Sequence, residues 1–142
     1  MKIPELILSN NIGVLSTCDE HCKPSAATLF YAVRGGKLYF FTHEDSVKIK
    51  HIHANPSVCL VVSDHTNYRQ AQVYATAKII EDPSELLKLL ENVINKEEVI
   101  KSDYLIPYMY IESEGSAPVV VEMEPKSIRL FQPETGITQT SA

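Results

Sequence analysis

Leu38-Tyr39-Phe40-Phe41-Thr42, continuing through Ser46-Val47-Lys48 to Asn55-Pro56, carries more structural information than any other stretch of this 142-residue chain. Five apolar or β-branched residues in a row predict a strand that stops at a threonine. Asp45 or Ser46 then caps a helix running to about Ala54, with Val47, Ile49 and Ile52 as its apolar positions. Asn55-Pro56 ends it, because the residue before a proline is pushed out of the α region. The pattern brings the hydroxyls of Thr42 and Ser46, the ammonium of Lys48 and the first amides of a helix to one corner. A phosphate is bound by such donors. The plainer alternative is that Ser46 is an N-cap alone and Lys48 a solvated surface lysine, and spacing alone favours that alternative.

Upstream, Arg34-Gly35-Gly36-Lys37 predicts a tight hairpin, since adjacent glycines supply the positive φ angles such turns need. The strand before it is expected over Ser25 to Val33, and another over Ile12 to Thr17, with a turn from Asp19 to Pro24. Pro4 to Ser9 reads as a turn or two of helix. Downstream, Val58 to Ser63 is an almost continuous apolar strand. A polar loop from Asp64 to Tyr68 leads to a long strand over Gln70 to Ile80. Pro83-Ser84-Glu85 opens a helix whose apolar positions are Leu86, Leu87, Leu89, Leu90, Val93 and Ile94. Lys101 to Glu114 reads as irregular or helical covering structure. Two further strands are expected, Pro118 to Glu124 and Lys126 to Phe131, with Pro125 between them. The polar tail from Pro133 is expected to fray.

The pattern is mainly β (β+α): a six- to seven-stranded antiparallel barrel with covering helices, in one domain over residues 1–142. Apolar residues make up 44% and charged residues 22%, as in ordinary globular proteins. A net charge of −5 without a basic block gives no footprint for nucleic acid. No apolar run approaches the ~20 residues of a membrane helix, and Glu5 interrupts the only N-terminal apolar run, so a cytoplasmic protein is expected.

Three cysteines, Cys18, Cys22 and Cys59, cannot form a complete set of disulfides within one chain. Cys18 and Cys22 flank His21, yet no second ligand pair stands at zinc spacing, so no metal is expected. Ala26-Ala27-Thr28 is a run of small residues on a strand. Such a run lets a flat ring lie against the backbone, or lets another element pack closely. Gln70 offers a donor and an acceptor at the start of its strand. The five histidines form no recognisable site, and no residue set for nucleophilic catalysis stands out, so catalytic residues are left unassigned.

In order and spacing, these parts resemble the pyridoxamine 5′-phosphate oxidase-like split-barrel family, in its general-stress and flavin-reductase branch. The matching segments are Ile12 to Thr17, Pro24 to Tyr31, Leu38 to Thr42 through Ser46-x-Lys48 to Asn55-Pro56, and Val58 to Val61. His65-Thr66-x-x-Arg69-Gln70 and the closing run from Ala117 to Phe131 continue the match. The resemblance implies a cofactor, flavin mononucleotide (FMN). Phe41 and Thr42 would lie beside it, Ser46 and Lys48 would hold its phosphate, and the backbone of Ala26, Ala27 and Thr28 would line its ring. Gln70 would reach the isoalloxazine from the partner subunit of a homodimer whose two sites lie at the interface. An oxidoreductase exchanging electrons with a small molecule follows from the resemblance. The alternatives on the same fold are a non-catalytic flavin-binding stress protein, or a relative that binds haem or a deazaflavin.

The departures from the family pattern narrow this expectation. Val47 stands where the vitamin B6 oxidases carry an arginine beside the phosphate lysine. Ala26 and Tyr31 stand where they carry further cations, and Arg129-Leu130-Phe131 does not supply their C-terminal Arg-x-His. One phosphate can still be held, but little charge remains for a second phosphorylated ligand. Pyridoxamine phosphate oxidation is therefore not expected.

Overall fold

The computed structural model of the protein describes residues 1–81, 84–86, 88 and 118–142. A short helix α1 (Glu5–Leu8) precedes strands β1 (Ile12–Cys18), β2 (Pro24–Phe30), β3 (Ala32–Arg34) and β4 (Lys37–His43). Helix α2 (Val47–Ala54) leads to β5 (Ser57–Asp64) and β6 (Arg69–Ile80), and β7 (Pro118–Gln132) and β8 (Gly136–Ser141) close the chain. All pairings are antiparallel, in the order β2-β1-β5-β6-β7-β4-β3, with β8 added to the second half of β7. The two ends of this sheet, β2 and β3, are joined by the single residue Tyr31. The sheet therefore curls into a barrel that is closed by the chain itself rather than by a hydrogen-bond ladder between β2 and β4.

Alternation along the strands sends one face inward. Leu15 of β1, Leu38 and Phe40 of β4, Leu60 and Val62 of β5, Val73 of β6, and Val121, Met123 and Ile128 of β7 fill the interior. Ile49 and Ile52 of α2 cover one end, and Ile3, Leu6 and Ile7 cover the other. Gly13 marks where β1 and β5 crowd together. A Cβ there would lie 2.9 Å from both a Leu60 methyl and the Val61 carbonyl oxygen. Gly35 and Gly36, at φ 59° and 76°, make the predicted hairpin.

Three expectations are corrected. The strand expected over Ser25 to Val33 breaks at Tyr31, whose amide donates to Asn11 O (2.9 Å) and whose hydroxyl donates to Ile7 O (2.6 Å). The two strands expected around Pro125 are one. Tyr74 faces Ser127 while Ala75 faces Pro125, so Lys126 is the extra residue of a bulge, which suits a neighbour without an N–H. The tail does not fray: Gly136 turns the chain at φ 73°, and β-branched Ile137, Thr138 and Thr140 pair back onto β7. The main path of the sheet has seven strands, as expected, and β8 adds to it alongside β7. Of the helix predicted after Pro83, Ser84 to Leu86 and Lys88 are helical, while Leu87, Leu89, Leu90, Val93 and Ile94 lie outside the described residues, as does Lys101 to Glu114.

Candidate functional site

The turn from β4 into α2 forms as its sequence implies. Ser46 is the N-cap, in extended conformation, and its Oγ accepts from the Ile49 amide at 3.4 Å. The Ser46 amide donates to His43 O at 3.1 Å, which closes the turn from the strand. A helix start is where backbone amides are available as donors, and that of α2 follows directly on the Ser46 cap. Thr42, on the inward face of β4, is 2% exposed, and Lys48 is 8% exposed. A lysine so covered is not a solvated surface residue, which removes the plainer alternative for Lys48. Val47, at 54%, faces solvent instead of the core.

Two strands border this corner on unpaired edges. β2 pairs with β1 alone along Pro24 to Phe30, and β4 pairs on its other side with β7, Thr42 opposite Val119. Below Tyr31 the chain therefore leaves a split between β2 and the end of β4. In an edge strand, alternate backbone N–H and C=O groups point away from the partner strand. Ala26 and Thr28 point to the outer face, and Ala27 points inward beside Leu29. The run Ala26-Ala27-Thr28 thus presents backbone, not bulk, along the split.

Helix α2 is pinned across this opening. His51 Nδ1 and Thr17 Oγ1 are 2.9 Å apart, and Asn55 Nδ2 donates to Cys18 Sγ at 3.0 Å. Thr17 pairs with Ser25, next to Ala26. A path of contacts, from Ala26 through Ser25, Thr17 and His51 and then back along α2, links the small-residue run to Ser46. Phe41 lies beside them on the outward side of β4, packed with Tyr39, Ala32 and Val120.

Gln70 does not join them within one chain. It pairs with Ser63 and Phe131 at the start of β6, while Phe41 is level, through Val120, with Ile80 at that strand's far end. Ten residues of strand lie between, about 30 Å. Gln70 instead sits on the outer face next to Phe131, which faces Ile137 on β8. These two apolar side chains are 44% and 61% exposed.

Several polar features were not legible in the sequence. His51 became visible only through its contact with Thr17. His43 Nδ1 and Arg69 Nε are buried without a hydrogen-bond partner among the described residues, and nothing in their sequence context signalled it. The Asp64 carboxylate organises the β5–β6 turn, and the Arg69 guanidinium, then Asn67, hold its pKa well below the usual carboxylate value. A cavity of about 550 Å³ between the β3–β4 hairpin and Ser84 to Leu86 lies away from the split. Its polar groups are engaged: Glu122 takes Lys37 at 3.1 Å and the Tyr39 hydroxyl at 3.2 Å, and Arg34 faces Glu85 at 3.9 Å. Burial pushes the Cys59 thiol up, which suits a packing role. Among the described residues no cluster of three or more His, Cys, Asp or Glu could hold a metal, and no helix is long and apolar enough to cross a membrane.

Solved structures with this fold go by different descriptions. A general stress protein 26 from Bacillus anthracis matches at 22% identity over 94% of this chain and 93% of its own, with a TM-score of 0.64. A FAD-binding protein from Mesorhizobium loti matches at 19% identity over 89% and 88%, TM-score 0.64. A heme-binding protein from Mycobacterium smegmatis matches at 15% identity over 99% of this chain and 60% of that one, TM-score 0.67. At such identities these similarities bear on the fold. No curated protein matches the sequence. The family model described as pyridoxamine 5′-phosphate oxidase matches residues 2–131, almost the whole barrel, so the chain belongs to the pyridoxamine 5′-phosphate oxidase family.

Proposed function

We propose that this protein is an FMN-binding member of its family, a cytoplasmic homodimeric oxidoreductase that is not a pyridoxamine phosphate oxidase. The observation that carries the reading is the covered Lys48 beside the Ser46 cap, at a helix start facing the unpaired edge of β2. The phosphate of FMN fits that corner: two hydroxyls, an ammonium and helix amides supply donors, and the helix dipole favours its charge. The isoalloxazine fits the small-residue edge of β2, with Phe41 and Thr42 alongside. When bound, the flavin supplies the redox chemistry, and the protein supplies binding, orientation and electrostatics.

A second chain completes the site in this reading. Gln70 is about 30 Å along the strand from the phosphate corner of its own chain. It stands among outward apolar side chains, Phe131 and Ile137, with Ile12 and Val14 exposed on β1 of the same sheet. An apolar outer face of this kind suits burial against a second copy. Gln70 would then read the pyrimidine edge of the partner's flavin.

The test is the absorption spectrum of the purified protein before and after FMN is added and the excess removed. Flavin bands that stay with the protein support the reading. A colourless protein overturns it, and a Soret band on adding haem would move the assignment to haem. Lys48→Ala is expected to weaken FMN binding about tenfold or more, as for a lost charge-assisted hydrogen bond. Fluorescence-quenching titration measures it, and unchanged affinity would remove Lys48 from the site.

A further inference from the structure

We infer that the cavity between the N-terminal segment and the start of β6 binds a small monocarboxylate with a compact apolar body. It measures about 310 Å³, within the range of small-molecule sites. Arg69 of β6 lines it, together with Leu130 and Gln132 of β7 and residues of the N-terminal segment. Ile3 and Leu6 belong to the core and Leu130 packs against it, so much of the lining is apolar. Lys2, Glu5 and Leu8 also line the cavity and are exposed, which places them where it meets solvent. Leu130 and Gln132 share the side of β7 on which Ile128 fills the interior. Arg129 and Phe131 alternate to the other side and take no part.

Arg69 selects the ligand. A guanidinium carries about five N–H donors. Among the described residues Arg69 uses one, from Nη2 to Asp64 Oδ2 at 2.8 Å, while its Nε is buried without a partner. Asp64 has no capacity for more. A carboxylate offers about four lone-pair sites. Oδ1 accepts the amides of Thr66 (3.1 Å) and Asn67 (3.2 Å), and Oδ2 accepts Asn67 Nδ2 (2.9 Å) besides the guanidinium. Donors left open in a half-buried arginine call for a further acceptor, and its planar fork matches a carboxylate. Charge limits the ligand to one such group. Lys2 and Arg69 stand against Glu5 and Asp64, so the surroundings are neutral and nothing offsets the second charge of a phosphate dianion. Ile3, Leu6 and Leu130 then cover the apolar body. The phosphate corner is about 30 Å away along the strand, so a ligand here leaves it untouched.

The experiment is an NMR titration of the isotope-labelled protein with benzoate as the probe. Benzamide, which lacks the charge, and acetate, which lacks the apolar body, are the controls. Saturable shifts at the amides of Ile3, Leu6, Arg69 and Leu130 are expected, with both controls about tenfold weaker or more. Arg69→Lys keeps a charge beside Asp64 but loses the planar fork, and is expected to weaken benzoate about tenfold. Lys2→Gln, a change at an exposed side chain, is expected to weaken it about threefold. Benzamide binding as tightly as benzoate overturns the carboxylate assignment, and acetate doing so overturns the apolar body. Absence of saturable shifts at these amides overturns the site. Saturation at Ser46 to Lys48 instead also overturns it, since benzoate would then occupy the phosphate corner. Undiminished benzoate binding by Arg69→Lys removes Arg69 from the site. Should that variant not fold, the wild-type comparison of benzoate with benzamide and the Lys2→Gln titration decide the question.

Discussion

At the scale of single residues, burial separates what spacing could not. Ser46 caps α2 as its spacing implies, whereas Lys48 is 8% exposed and so is not the solvated surface lysine that spacing alone favoured. Asp64 shows the same dependence on surroundings. Its pKa is depressed by the Arg69 hydrogen bond first and the Asn67 contacts second, so the folded state favours the carboxylate. That stability is present above the usual value of 3.8 and is lost as pH falls from there toward the lower folded pKa. Asp64→Asn should therefore be less stable than wild type at neutral pH, and the gap should close as pH drops below 3.8. Denaturant titrations at stepped pH measure this. A gap that persists in acid would show that hydrogen-bond geometry, not charge, holds the turn.

At the scale of elements, the sequence revealed those set by local chemistry and hid those set by distant contacts. Gly35-Gly36 made a hairpin and Ser46 capped α2 because their φ angles and side chains act within a few residues. The break at Tyr31 has no local cause, since the run stays apolar through it. It exists because that amide and hydroxyl reach Asn11 and Ile7. Pro125 was misread as an end because a proline breaks a ladder, yet the bulge at Lys126 absorbs it. The Tyr31 hydroxyl is fully buried, and burial raises its pKa, so it stays a neutral donor to Ile7 O. Tyr31→Phe leaves that carbonyl without its partner and should lower unfolding free energy by about 1–3 kcal/mol. Chemical denaturation checks this. An unchanged midpoint would mean α1 is held by its apolar contacts alone.

At the scale of the whole molecule, the turn from β4 into α2 was legible and its separation from Gln70 was not. Thr42, Ser46 and Lys48 follow one another from the end of β4 into α2, and the Ala26 to Thr28 run forms an edge of the same barrel. Gln70 lies at the other end of β6, a distance no sequence pattern reports. The proposed flavin site, divided between two chains, makes a specific demand on mixed dimers. Lys48→Ala and Gln70→Ala subunits should each bind FMN weakly alone. Unfolded together and refolded as a mixture, they should form mixed dimers. In these, one site pairs an intact Lys48 with an intact Gln70 from the other chain, and the second site has neither. Titration of the mixture with FMN is therefore the measurement to make first. Recovery of wild-type affinity in a fraction of the sites is the predicted result. No recovery, with mixed dimers shown to form, would contradict a flavin site built from two chains.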